Sequence, residues 1–305
     1  MVIGARAAGL CIGFALDLAL ADPRRGHPVA AFGTVARRLE DRLYADSRPA
    51  GAAYTATLVG GTALLGQLGS AGSRRGGYRE LALTAAATYV VLGGTSLVRE
   101  GDRMASLLES DDLPAARARL SHLCARDGSV LEGPELARAT VESVAENTSD
   151  AVVAPLFWGA VLGVPGLLGY RAANTLDAMV GYRSPRYARF GWASARLDDL
   201  LNVVPARLAA LLTALVTLSL TPLRVWRRDA HRHPSPNAGP VEAAYAGALG
   251  LELGGSNVYD GVTEARGTLG HGRPVSIDDV RRANQLSRRV SAAALVTCAL
   301  IASRR

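Results

Sequence analysis

The sequence predicts an all-α, polytopic integral membrane protein with helical interfacial loops, organised as one membrane-embedded domain over residues 1–305. Three observations carry this prediction. Hydrophobic residues make up 49% of the chain and the mean hydropathy is +0.15, too apolar for an average soluble enzyme. Apolar runs at residues 7–21, 50–70, 81–98, 151–169, 203–222 and 290–302 approach the roughly 20 residues that a bilayer core asks of a helix. Aromatics are only 5%, while Ala, Leu, Gly and Val dominate, which suits helices packed through small residues.

Each segment has its own signature. Residues 7–21 carry Asp17 inside an apolar run, where a carboxylate needs a partner. Arg6, the apolar stretch and Ala19-Leu20-Ala21 also imitate a cleaved signal peptide, but Asp17 and the later apolar runs favour a retained helix. Residues 50–70 and 81–98 read as spans. Asp112 followed by Pro114 caps a helix in the next polar stretch, and Gly133-Pro134 opens another over 135–146. Residues 151–169 are uncharged and read as a span. The segment 203–222 contains Pro205, residues 233–240 form a turn-rich loop before a helix near Val241, and 290–302 is a short tilted span or a packed helix. Alternating β patterns are scarce. Arginine is rich in every polar stretch, so the bias of basic loops sets no orientation; some apolar segments are then re-entrant or buried within the protein.

Composition also excludes chemistry. All 34 basic residues are arginine, so there is no Schiff-base lysine, no P-loop lysine and no lysine base. The net charge of +7 is dispersed and few aromatics accompany it, which suits anionic headgroups or a phosphorylated substrate and not nucleic acid. Cys11, Cys124 and Cys298 are isolated and read as small buried hydrophobes. No GxGxxG after a strand, GxSxG or HExxH is present.

Three short groups carry the candidate chemistry. On a regular helix Glu142, Glu146 and Asp150 share a face, with Asn147 and Ser149 beside them. Arg171, Asn174 and Asp177 recur at three-residue spacing. Asp198, Asp199 and Asn202 lie together, followed by Pro205 and Arg207. Like charges on one face repel unless a cation joins them, and Mg²⁺ with oxygen ligands is the natural choice. The plainer readings are a solvated helix face and separate capping motifs. Repetition beside apolar segments favours one shared site at the membrane interface, with Mg²⁺ held by Glu142, Glu146, Asp150, Asp198 and Asp199 and phosphate met by Arg171 and Arg207. His27, before a proline, is a candidate substrate donor. Ser235 and Asn237 precede a helix whose amides would hold an anion. The His231-x-His233 pair lacks a third metal ligand and reads as solvated loop.

The stretches ESVAENTSDAVVAPLFW, AANTLDAMVGYRSPRYARFGWASARLDDLLNVVPARL and HPSPNAGPVEAAYAGALGLELGG, after the opening DLALADPRRGHPVAAFG, resemble the CobD/CbiB family of cobalamin biosynthesis. The resemblance covers most of the chain in order; residues 50–98 match only in being apolar. It implies a multi-pass protein of the inner (cytoplasmic) membrane and an adenosylcobinamide-phosphate synthase. Such an enzyme joins (R)-1-amino-2-propanol, or its O-phosphate, to a propionate of adenosylcobyric acid, with ATP as co-substrate. On that reading Glu142, Glu146 and Asp177 act in catalysis. Asn147, Arg171, Asn174, Asn202 and Arg207 position substrate. Other late cobalamin-pathway membrane enzymes are expected partners besides the bilayer. Two other readings stand beside it: an AmpE-like sensor or scaffold, and a corrinoid transporter.

Overall fold

A computed structural model describes residues 4–23, 26–71, 77–124, 126–182, 184–259 and 262–304. Arg24, Arg25, Arg74 and Arg75 of the basic loops lie outside them. In chain order the helices are α1 (Ala5–Leu20), α2 (Pro28–Leu43), α3 (Arg48–Ser70), α4 (Gly77–Val91), α5 (Gly94–Glu109), α6 (Leu113–Leu120), α7 (Gly133–Thr148), α8 (Ala154–Leu162), α9 (Val164–Val180), α10 (Tyr187–Phe190), α11 (Trp192–Thr217), α12 (Thr221–Asp229), α13 (Ala238–Leu249) and α14 (Asp278–Ser303). The all-α expectation holds, with one addition. Strands β1 (Leu253–Tyr259) and β2 (Val262–Leu269) pair antiparallel, Tyr259 opposite Val262. Asp260-Gly261, between those ends in sequence, is a dipeptide that tight hairpins favour.

The chain divides into two compact units, one of residues 1–93, 154–202 and 295–305, the other of 94–153 and 203–294. In the first, α1 packs closely along α4. A Cβ on Gly9 would sit 2.6 Å from Thr84 Cβ, and one on Gly13 2.4 Å from Thr88 Cβ. This Gly-x-x-x-Gly spacing lets two backbones close up as membrane helices do. Tyr54, Leu58, Leu176, Val180 and Phe190 form a buried cluster among α3, α9 and α10. In the second unit α7 is central. Leu136, Val141 and Val144 pack with Leu97, Met104 and Leu108 of α5, Leu120 of α6, Leu253 and Leu269 of the hairpin, and Val280 of α14.

Several expected spans change shape. The segment 81–98 is broken, because Leu92 and Gly93 lie outside helix and α5 begins at Gly94. The segment 151–169 is not one span either. It starts in a π-helical turn, Ser149–Val153, and is divided between α8 and α9 at Gly163, whose φ of +71° suits a residue without a Cβ. At about 1.5 Å per residue the nine residues of α8 reach only about 14 Å, half a bilayer core. Ala151, Val152, Val153, Ala154 and Leu156 are buried, so their apolar character fills the protein interior and does not face lipid. Conversely, residues 203–217 belong to a 26-residue helix reaching back to Trp192, with Pro205 inside it, while 218–220 leave the helix and Thr221-Pro222 open α12; 290–302 is the end of a 26-residue helix from Asp278. Helix α13 starts at Ala238, three residues before Val241.

Among the described residues, three stretches are long and apolar enough to cross a membrane: Gly77–Glu109, with the interruption just noted, Trp192–Thr217 and Asp278–Ser303. On α11, Leu211 and Leu215 are exposed, and on α14 Val296 and Leu300. Such exposed apolar faces on long helices fit lipid as their solvent. This is a helical membrane protein.

Candidate active site

In the first unit, α9 and α11 build a hydrogen-bonded chain around Asp198, which is 9% exposed. Tyr170 Oη donates to Asn202 Oδ1 (2.9 Å), Asn202 Nδ2 to Asp198 Oδ2 (2.9 Å), and Asn174 Nδ2 to Asp198 Oδ1 (3.3 Å). Arg171 Nη1 reaches Asn174 Oδ1 at 3.5 Å. Each amide turns its carbonyl to a donor and its NH₂ to the carboxylate. Asn202 lies four residues after Asp198 on α11, while Arg171 and Asn174 are three apart on α9, so helical geometry explains the gathering. Trp158 Nε1 donates to Leu201 O (3.0 Å), fixing α8 against this part of α11. Asp177 follows Asn174 by three residues and is half-buried. Asp199, about 100° further round α11, lies 3.6 Å from Arg196.

Arg171 also lines a cavity of about 150 Å³ whose walls include Pro28, Val29, Phe32, Ala172 and Thr175. His27 precedes Pro28 and caps α2: its Nδ1 accepts from Val29 N (3.1 Å) while Nε2 lies 3.3 Å from Asp22 Oδ1. The structure thus brings the wall next to His27 together with Arg171 at a small apolar space.

The acidic group of α7 is arranged differently. Glu142, 4% exposed, receives Arg126 Nη2 on Oε2 (2.6 Å), and Arg138 Nη1 (3.3 Å) with Gly254 N (2.8 Å) on Oε1. Arg138 also donates to Gly254 O. Both oxygens are therefore occupied, and Glu142 joins α7 to the hairpin as a buried ion-pair centre instead of offering itself to Mg²⁺. Glu146 and Asn147 are half-buried, and Asn147 Nδ2 donates to Ser143 O (2.9 Å). Asp150 and the buried Ser149 lie in the π turn, which shifts the helical phase and removes the regular four-residue alignment with Glu146. Among the described residues, no group of three or more His, Cys, Asp or Glu side chains comes together to hold a metal ion.

The remaining candidates meet before α13. Arg207 Nη1 donates to Asn237 Oδ1 (2.7 Å), and Ser235 Oγ accepts from Ala238 N (3.1 Å). His231 is exposed, but His233 is buried, taking Ser235 N on Nδ1 (3.0 Å) with Nε2 3.5 Å from Glu242 Oε1, so the solvated-loop reading fails for His233. Nearby Asp229 is fully buried between Arg228, Arg232 and Gly270 N. The Arg228 guanidinium, most of all, holds its carboxyl below the usual carboxylate range against the opposing effect of burial. Burial pushes the Cys124 thiol up, in keeping with an inert structural cysteine.

A family model described as CobD/Cbib protein matches residues 10–287. The chain belongs to the CobD/CbiB family. Relatives named "Cobalamin biosynthesis protein CobD" are similar along nearly all of it. The one from Mycobacterium tuberculosis H37Rv is 53% identical across 98% of this chain and 97% of its own length. The one from Stutzerimonas stutzeri is 47% identical (84% and 85% covered), and one from Rhodobacter capsulatus 41% (97% of each). No solved structure matches. The family places this member in cobalamin biosynthesis.

Sequence reasoning named Asn174, Asp198 and Asn202 but missed Tyr170, which completes their chain. It also missed Arg126, Arg138, Asp229 and Glu242. Arg138 was visible as the i−4 neighbour of Glu142, a spacing that favours ion pairs. Arg126 lies sixteen residues from Glu142 across a turn, and no local rule connects them.

Proposed function

We propose that this CobD/CbiB-family member is a multi-pass inner-membrane ligase that joins 1-amino-2-propanol or its O-phosphate to a propionate of adenosylcobyric acid, driven by ATP. The observation that carries the reading is the buried Asp198 held by two amides, with Arg171 bridging from that network to a small apolar cavity. A carboxylate has more lone pairs than two amide donors use, so Asp198 retains acceptor capacity for an ammonium. Arg171 would meet phosphate oxygens, and the apolar walls would seat a methyl group. Propionate oxygen takes the γ-phosphoryl group of ATP, giving an acyl phosphate and ADP. The amine then attacks the carbonyl carbon, phosphate departs and an amide forms. The ammonium must lose a proton before attack, and Asp177, on the same helix as Asn174, is the assigned acceptor.

The residues fit Mg²⁺ only in one of its usual modes, one or two carboxylates completed by substrate phosphates. With Asp177 and Asp198 assigned to the amine, Glu146 and Asp150 are the carboxylates that would hold the ion. Mg²⁺ would neutralise phosphate charge during transfer. His27, Asn147, Arg207, Ser235 and Asn237 are assigned to substrate positioning. Other late cobalamin-pathway membrane enzymes are proposed partners. The test is amide formation by protein purified in detergent, followed by mass spectrometry with aminopropanol and its phosphate in parallel, omitting ATP, Mg²⁺ or either organic substrate in turn. Product in the full mixture alone supports the reading; none with either amine refutes it.

A further inference from the structure

The first unit contains a second cavity, of about 310 Å³, unrelated to Asp198. It lies where the N-terminal turns of α1, α4 and α9 meet the C-terminal ends of α3 and α8, and its polar lining includes Arg6, Gln67, Ser70, Glu80 and Thr84. Val164, on its wall, is thirteen residues before Asp177, so about 20 Å of α9 separates the two places.

We propose that this cavity binds the headgroup of a phospholipid bearing a primary ammonium, the phosphatidylethanolamine class. Arg6 Nε lies 3.5 Å from Glu80 Oε1, and both side chains are about one-third exposed (28% and 35%). Among the described residues the pocket therefore offers a cation and an anion side by side and partly open, the complement of a phosphodiester joined to an ammonium. Arg6 suits the phosphate and Glu80 the ammonium. Among the described residues no aromatic side chain lines the cavity, so they form no cage of the kind that favours quaternary ammonium, and a choline head fits them less well. A purely anionic head leaves Glu80 facing negative charge.

The surroundings place the site at headgroup depth. Glu80 is in the first turn of α4, at the start of the membrane-length stretch Gly77–Glu109, and Tyr78 beside it is 90% exposed, as aromatic residues are at the membrane boundary. Leu65 and Leu68 of α3 and Leu162 of α8 are exposed large apolar side chains on helices that reach the cavity, and offer surface for acyl chains. Arg6 also packs on Gly163: a Cβ there would lie 3.3 Å from the guanidinium. The bound headgroup would thus touch the turn between α8 and α9 through Arg6.

Native mass spectrometry of the full chain, delipidated in detergent and titrated separately with phosphatidylethanolamine, phosphatidylcholine and phosphatidylglycerol, tests this. The wild type should retain phosphatidylethanolamine at least about 5-fold better than either other lipid. Arg6→Gln should lower retention of all three, and Glu80→Gln should erase the preference while leaving phosphatidylglycerol binding intact. The double variant Arg6→Gln/Glu80→Gln removes both charges while leaving two side chains that can hydrogen-bond each other, and should lose the preference too. Equal retention of the three lipids by the wild type, or a preference unchanged in the variants, would overturn the assignment. Neither readout depends on the ligase activity.

Discussion

Glu142 and Asp198 are both buried carboxylates on helices, yet their surroundings assign them opposite kinds of work. Glu142 sits between two guanidinium groups and a backbone N–H, so its charge is fully compensated and its oxygens are spent. Asp198 is held by two neutral amides, which orient it and bring no counter-charge. A cluster of acidic residues beside an apolar segment is thus two different objects, depending on whether its partners are cations or dipoles. The first kind holds a fold together; the second leaves a charge for a substrate to meet.

The comparison breaks most visibly if the two residues respond alike to loss of charge. Asp198→Asn keeps the volume but removes the charge, and ligation measured by mass spectrometry should fall by about 100-fold or more, the scale of a lost charged or proton-transfer group. The folded fraction in detergent should change little. Glu142→Gln should do the reverse. Leaving Arg126 buried without its anion costs about 3–5 kcal/mol, read as a lower thermal midpoint and poor recovery of folded protein.

Finer effects sharpen the contrast. Tyr170→Phe removes the donor to Asn202 and should cost about 1 kcal/mol, or roughly 5-fold in turnover, as Asn202 loosens its hold on Asp198. Acid should expose another compensated carboxylate. The folded-state pKa of Asp229 is depressed, so its stabilisation is present above the unfolded value, about 4, and is lost as pH falls through the folded one. A melting-temperature profile should decline below about pH 4, and Asp229→Asn should flatten that decline. The smallest effect belongs to the exposed Arg196–Asp199 pair, where Arg196→Ala should shift stability by less than about 1 kcal/mol in the same melts.

What the sequence disclosed follows the range of the forces involved. The Asp112 cap, with Ala115 N donating to its carboxylate at 3.1 Å, is a local bond and was legible. The helix through residues 135–146 was legible for the same reason, and so was the gathering of Asp198 with Asn202 at helical spacing. The divided segment 151–169 was not. Its hydropathy describes burial equally well against protein or lipid, and Gly163-Val164-Pro165, the breaker within it, carries the better signal. The hairpin was not legible from alternation, because its strands, rich in Gly and polar residues, carry no clear two-residue period; the Asp260-Gly261 dipeptide is the better signal. The fate of Glu142 depends on Arg126 and on the backbone of Gly254, contacts decided only by packing.

The central claim is that Asp198 acts on substrate while Glu142 acts on the fold. Turnover per folded molecule, measured side by side for Asp198→Asn and Glu142→Gln with folded protein counted by size-exclusion in detergent, tests it directly. The account predicts near-complete loss for Asp198→Asn and near wild-type turnover for whatever Glu142→Gln protein folds. Wild-type turnover in Asp198→Asn, or abolished turnover in well-folded Glu142→Gln, would contradict it.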